Sequence, residues 1–511
     1  MKKILKVLLH RVVLVAVLLA IQILSLIIMI VRFNNYFVYF YACCALLSFL
    51  VFLHIINNKS NPSYKIAWLV PILAFPIFGG LFYVLFGRNK LSNHSKKKMA
   101  AISAKMQLID FENEEIIEIL KKEDVVAAKQ ANYIQKLSHA PIYKNTYTEY
   151  YSVGEEMFLR LKEELMKAKH YIFLEYFIIE EGVMWNSILD ILIQKVKEGV
   201  DVRLIYDDMG CIMTLPYKYF EKLESFGIKT CVFNPFIPVL SSKINNRDHR
   251  KIVVIDGHTG FTGGINLADE YINIYPKYGH WKDSAILLKG EAVWNLTIMF
   301  LSMWDYIRGV KENYEDYRPD TYMPKKIKSK GYVLPYNDTP LDDETVGENI
   351  YLNMITNANK YIYITTPYLI IDNEMITALT LAAKSGVEVK IITPGVADKK
   401  VVNELTKSYY EVLIENGVKI YEYIPGFVHA KNFVIDDKYA TVGTINLDYR
   451  SLYLHFECGV WMYDTDTIVN IEQDFEEMLK LCREITLKDC KKITSKRKFF
   501  RAILKLFAPL M

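Results

Sequence analysis

His249-Arg-Lys251-Ile-Val-Val-Ile-Asp256, followed by Gly263-Gly264-Ile-Asn266, decides how this chain reads, because the pattern occurs twice. The second copy is His429-Ala-Lys431-Asn-Phe-Val-Ile-Asp436, with Gly443-Thr444-Ile-Asn446 at the same downstream distance. Both read H-x-K-x4-D and then G-[GT]-x-N. Residues two apart on a strand share a face, so each His and its Lys can project into one cleft. The apolar run between Lys and Asp is what a strand buried on both faces looks like. One such match would carry little weight, since a lone His near a Lys is usually surface or core furniture. Two copies, each with its Gly and Asn, are specific.

The flanking sequence repeats as well. Ala168 to Ile178 begins a strand of β-formers, a helix follows through Ile188 to Lys197, and Gly199 to Tyr206 forms a second strand. The later counterparts are Ala358 to Thr365, Met375 to Ser385 and Gly386 to Ile392. Phe226-Gly227-Ile228-Lys229 likewise matches Asn416-Gly417-Val418-Lys419. Strand, helix, strand units with Gly after the helix predict parallel pairing in an α/β sandwich, present as two halves.

Upstream of the repeat the chain changes character. Residues 12–31, 36–56 and 66–86 are apolar, each about the ~20 residues a helix needs to cross hydrocarbon. The third contains Pro71, Pro76 and Gly79-Gly80, which predict kinks. A cleaved signal peptide is the plain alternative for the first, given Lys2, Lys3, Lys6 and Arg11. However, the stretch exceeds a signal core and shows no clear cleavage site. The basic start predicts a cytoplasmic amino terminus. Three crossings would leave the basic run after Phe86 outside; two crossings and one re-entrant segment reconcile the signals, with a cytoplasm-facing enzyme. The expected organisation is a membrane anchor over 1–90, a basic and helical connector over 91–135, halves at 136–335 and 336–490, and a basic amphipathic tail over 491–511.

Apolar residues make up 52% of 511 and charged ones 23%, which excludes a disordered chain, and the length calls for more than one core. A net charge of +4 decides nothing alone. Seven cysteines without a CxxC pair or ligand spacing predict free thiols.

With these motifs the chain resembles the phospholipase D superfamily over nearly its whole length, and most closely its bacterial cardiolipin synthases. Leu85-Phe86-Gly87-Arg88-Asn89 after the apolar segments, Gly263 to Tyr271, and Arg450-Ser451 with His455-Phe456-Glu457 carry the likeness. The resemblance implies a pseudo-dimer of two α/β halves behind transmembrane helices. It implies phosphatidyl transfer between two phosphatidylglycerol molecules in an anionic membrane, giving cardiolipin and glycerol, with neither cofactor nor metal. Catalytic duty falls on His249, Lys251, Asp256, His429, Lys431 and Asp436, although a structural role holding the strand end suits Asp256 and Asp436 equally well. Attack is assigned to His249 and acid duty to His429, a symmetry the residues themselves do not break. Asp283 and Glu457 are the implied orienting carboxylates.

The residue types suit that chemistry. A phosphodiester is anionic and repels nucleophiles, so its oxygens need fixed cations and donors; Lys251, Lys431, Asn266 and Asn446 supply these. Imidazole is mostly neutral near pH 7, so one ring can attack while the other, protonated, donates to the leaving alkoxide. A lipid phosphodiesterase would use the same motifs with water as acceptor. A nuclease would want a basic, aromatic groove and no anchor, so no nucleic-acid partner is expected. A catalytically dead scaffold is disfavoured because both motifs are intact. Oligomeric state is open.

Overall fold

The computed structural model describes residues 37–87, 113–235, 245–323, 327–341 and 344–510, with scattered positions between 20 and 32. Most of the first apolar segment and the basic run after Gly87 lie outside the described residues.

The first half is a seven-stranded sheet. Its strands are β1 (Thr146–Tyr151), β2 (Tyr171–Tyr176), β3 (Asp201–Asp207), β4 (Lys229–Phe233), β5 (Ile252–Ile255), β6 (Thr259–Gly263) and, beyond a short β7 (His280–Lys282), β8 (Ala285–Gly290). They lie in the order β1-β8-β6-β5-β2-β3-β4. The second half has β9 (Tyr332–Asp338), β10 (Tyr361–Thr365), β11 (Leu369–Ile370), β12 (Glu388–Pro394), β13 (Lys419–Tyr423), β14 (Gly426–Val428), β15 (Asn432–Ile435), β16 (Tyr439–Gly443), β17 (Leu447–Asp448), β18 (Glu457–Tyr463) and β19 (Cys482–Ile485). Its eight-stranded sheet runs β9-β18-β16-β15-β10-β12-β13-β19, the same order with β19 added. The repeat is therefore one of topology. Parallel pairing holds for β2-β3-β4 and β10-β12-β13. The motif strands β5 and β15 instead join antiparallel to both neighbours, so each sheet is mixed.

Every residue of β5 and β15 is buried, as the apolar runs require. Between the sheets, Phe173, Val254, Val434 and Val460 share one apolar core with the helices Val293–Arg308 and Thr467–Leu479. Gly199 and Gly386 end equivalent helices at φ 89° and 96°, a left-handed conformation that glycine adopts without steric cost. The seven cysteines are free thiols.

One expectation is corrected and one is refined. The helices Glu114–Glu123 and Val125–Ser138 are no mere connector: Leu120, Ala127, Ala131 and Ile134 are buried in the second half's core. Trp461 Nε1 donates to Gln130 Oε1 at 3.0 Å. The third apolar segment breaks at Pro76, one of the kinks its sequence predicts. Helix α1 (Phe37–Asn57), 21 residues and about 30 Å long, is followed by α2 (Pro62–Ala74) and α3 (Pro76–Phe86), each too short to span. The break falls at Phe75–Pro76, whereas Gly79-Gly80 lies inside α3 as a packing contact. A Cβ on Gly79 would sit 2.4 Å from Ile72 Cα of α2, and one on Gly80 2.4 Å from Ser48 Oγ of α1. Tyr64 Oη donates to Gly87 O at 3.1 Å and closes the hairpin's open end. Asn61 Nδ2 ties that end to Asp372 and Tyr453 of the second half, 2.9 Å each.

Candidate active site

Each motif histidine follows a segment that pairs with the other half. Strand β14 runs parallel to β7, and His429 N donates to Lys282 O at 2.7 Å. Near the other motif, Asp248 and Phe456 form a parallel bridge, and His249 N donates to Phe456 O at 2.9 Å. The residues after Lys282 and Phe456 are Asp283 and Glu457. The backbone therefore delivers each carboxylate to the histidine of the opposite half. His429 Nδ1 stands 2.7 Å from Asp283 Oδ2, and His249 Nδ1 stands 2.9 and 3.0 Å from the two Glu457 oxygens. All four side chains are buried.

A carboxylate accepts hydrogen bonds only, so it fixes the proton on Nδ1 and leaves each Nε2 with its lone pair outward. Burial, reinforced by Lys251 and Lys431, holds His249 well below the usual imidazole range; burial and Lys431 bring His429 down to about 4, against the pull of Asp283. Both rings are neutral nucleophiles or bases in the unliganded site. His429 is among the charges acting on His249, and Lys251 and Lys431 act on one another, so the two motifs form one electrostatic cluster.

Lys251 Nζ donates to His249 O, and Lys431 Nζ to His429 O, so each amine is anchored on its own motif. Lys431 Nζ also lies 2.9 Å from His429 Nδ1. Burial lowers Lys251 to about 8 and Lys431 to about 7, with Asp283 and Glu457 opposing the shift. Asn266 accepts from Ile178 N at 3.0 Å and donates to Tyr271 Oη at 2.7 Å; it has one amide hydrogen left to give. Asn446 is buried with an Oδ1 that lacks a partner.

Asp256 and Asp436 bond to backbone rather than to either motif histidine. Asp256 accepts from the backbone N–H groups of Lys169, His170 and Tyr171, and Asp436 from those of Asn359, Lys360 and Tyr361. Each closes a turn at the far end of its strand, beyond the apolar run that follows the motif Lys, and braces the start of a neighbouring one. The structural reading holds for both.

Sequence reading missed the supports of the acids. Thr444 Oγ1 donates to Glu457 Oε2 at 2.5 Å, whereas the matching Gly264 makes room: a Cβ there would lie 2.0 Å from Asp283 Oδ1. The G-[GT] alternation was the available signal. Tyr271, Trp281 and Phe427 wall His429, with ring centroids 5.5–5.9 Å away, while Phe177 and His455 flank His249 at 5.1 and 5.6 Å. His249, His455 and Glu457 could hold a metal ion, their ligand atoms lying within 4.8 Å of one another. Two of the three residues already have a use, in the His249–Glu457 and Thr444–Glu457 hydrogen bonds.

A model described as "Cardiolipin synthase, PLD-like domain" matches residues 161–291 and 351–479, one stretch in each half. Cardiolipin synthase 2 of Bacillus anthracis is 35% identical over 468 residues, 91% of this chain and 90% of its own length. The chain belongs to the cardiolipin synthase family of the phospholipase D superfamily. Cardiolipin synthase of Alkalihalophilus pseudofirmus is likewise 35% identical over 463 residues, covering 89% of this chain and 90% of that one. A Streptococcus mutans protein without an assigned function reaches 47% over 466 residues, 90% of this chain and 99% of its own. A second model, "Phospholipase_D-nuclease N-terminal", matches residues 46–88. The crystal structure of phosphatidylserine synthase from Haemophilus influenzae shares the fold, with a TM-score of 0.55 at 16% identity over 75% of this chain and 98% of that one.

A lysine whose pKa is lowered keeps its charge below that pKa and loses it as pH rises through it. An oxyanion seated between Lys251 and Lys431 should therefore bind more weakly above pH 7–8. Calorimetric titration with tungstate is expected to show Kd rising about tenfold between pH 6.5 and 9. Lys431→Arg, whose guanidinium stays protonated, should flatten that rise. A pH-independent Kd in the wild-type protein would contradict the assignment of these lowered pKa values to the amines.

Proposed function

We propose that this protein is a cardiolipin synthase that moves a phosphatidyl group from one phosphatidylglycerol to another through His249. The observation that carries the reading is the pair of neutral imidazoles, each with Nδ1 on a carboxylate from the other half and Nε2 free.

In the first step His249 Nε2 attacks the phosphorus of the donor lipid. A P–N bond forms, the P–O bond to the headgroup glycerol breaks, and the departing oxygen takes a proton from His429. His429 is neutral without ligand, so the substrate's negative charge is what draws a proton onto it, and Asp283 stabilises the resulting imidazolium. Lys251 and Lys431, with Asn266 and Asn446, meet the phosphoryl oxygens. In the second step His429 takes the proton from a glycerol hydroxyl of the acceptor phosphatidylglycerol. That oxygen bonds phosphorus as the P–N bond breaks, giving cardiolipin and restoring both histidines. Lysines and imidazoles carry the charge in this scheme, so no metal enters any step.

Purified protein in phosphatidylglycerol vesicles with a chelator should yield cardiolipin and free glycerol, and His249→Ala should abolish phosphatidyl labelling of the chain. Phosphatidic acid as the sole lipid product would replace transfer with hydrolysis.

Helix α1 is the one described helix long and apolar enough to cross a membrane. With residues 12–31 it would make two crossings, and the α2–α3 hairpin, closed at its open end, dips in and returns to the side it left. The catalytic halves then face the cytoplasm, beside the basic start. The tail forms the helix Ser495–Phe507, whose Arg497 and Arg501 pair with Glu404 while Phe499, Phe500 and Ile503 stay exposed beside Lys496 and Lys498. That face suits an anionic bilayer. Protease added outside sealed inside-out vesicles should degrade both halves; full protection would put them on the opposite side.

A further inference from the structure

The pseudo-twofold symmetry of the site fails at several charged positions, one of which stands out. Four residues after the motif Asn stands Glu270 in the first half and Arg450 in the second. Glu270 is neutralised by Lys277 at 2.6 Å. Arg450 is different: among the described residues no carboxylate lies within ion-pair distance of its guanidinium. The buried arginines of the first half are answered by acids, Arg203 by Asp201 and Glu312, Arg247 by Asp207, and Arg250 by Glu175 and Asp248.

Arg450 opens the short helix Tyr449–Tyr453, and the nearest acid, Asp448, turns its Oδ1 to the backbone N–H groups of Arg450 and Ser451 at 2.9 Å each. Arg450 Nε donates to His455 Nε2 at 3.3 Å. That bond makes Nε2 an acceptor and places the ring proton on Nδ1. His455 Nδ1 is buried without a hydrogen-bond partner, 3.7 Å from Glu457 Oε1, and its ring centroid is 5.6 Å from that of His249. Beside the attacking imidazole there is thus a half-buried cation without an ion pair, offset only by the longer-range charge of Asp448, and an N–H that faces Glu457. Arg247 adds further positive potential there.

We propose that Arg450, positioned by His455, holds the phosphate of the acceptor lipid. This deepens the cardiolipin synthase reading and rests on it. A phosphatidylglycerol headgroup has its phosphate and its free hydroxyl at opposite ends of one glycerol. Fixing the phosphate on Arg450 therefore turns the hydroxyl toward the phosphorus carried by His249. A guanidinium suits a phosphate through paired N–H donors, and it disfavours a cationic headgroup at the same place. Arg450 is thereby a determinant of acceptor choice.

The test compares two acceptors that draw on the same phosphatidyl-enzyme. In phosphatidylglycerol vesicles supplied with radiolabelled glycerol, transfer to lipid gives cardiolipin, while transfer to glycerol, which has no phosphate, gives labelled phosphatidylglycerol. In Arg450→Gln the ratio of cardiolipin to labelled phosphatidylglycerol should fall about tenfold or more, the scale of a lost charge-assisted contact. Arg450→Lys, which keeps the charge but loses the paired donors, should give a ratio between those of wild type and Arg450→Gln. An unchanged ratio in Arg450→Gln, or parallel loss of both products, overturns the assignment. A wild-type protein that makes no cardiolipin fails the broader reading instead.

Discussion

The main-chain bonds from His249 N to Phe456 O and from His429 N to Lys282 O are the constraint on which the rest of the site depends. They lock each motif strand to the segment that ends in the other half's acid. From that register follow both histidine–carboxylate pairs, both tautomers and the outward aim of both Nε2 atoms. Neither half owns a complete pair. The arrangement also explains how two acids can be buried beside two lysines. Removing one partner of such a buried pair typically costs about 3–5 kcal/mol, so the four charged groups and the two rings stand or fall together.

The two halves keep the topology and diverge in detail. Gly264 makes room for the shorter Asp283, whereas Thr444 braces the longer Glu457 with a hydroxyl. Aromatic rings crowd His429, while His455 and Arg450 stand near His249. A reaction with a distinct donor and acceptor needs this kind of inequality, since a fully symmetric cleft would present the same surface to both lipids.

Much of this was legible in the chain before folding. The duplicated H-x-K-x4-D motif located the catalytic strands, and glycines such as Gly199 and Gly386 marked matching helix ends. The crossing of Asp283 and Glu457 was not legible, because it arises from pairing between segments more than 140 residues apart. The prolines of residues 66–86 foretold a break, whereas the close approach of Gly79 to Ile72 that packs the two helices together was not legible. The connector was misjudged because its charged outer face hides an inner row, Leu120 to Ile134, that packs into the second half. Asp256 and Asp436 belong to the motif by spacing and to the fold by their backbone hydrogen bonds.

The crossing can be tested by following the covalent adduct with a phosphatidyl p-nitrophenyl ester, whose leaving group departs without an acid. On that substrate Glu457→Gln should slow adduct formation at His249 by about a hundredfold or more, because its orienting carboxylate is gone. Asp283→Asn, which leaves the His249–Glu457 pair in place, should slow the adduct far less. The reverse order, with Asp283→Asn slow and Glu457→Gln fast, would mean that each half orients its own histidine, and the crossed pairing would not be the arrangement that works in catalysis.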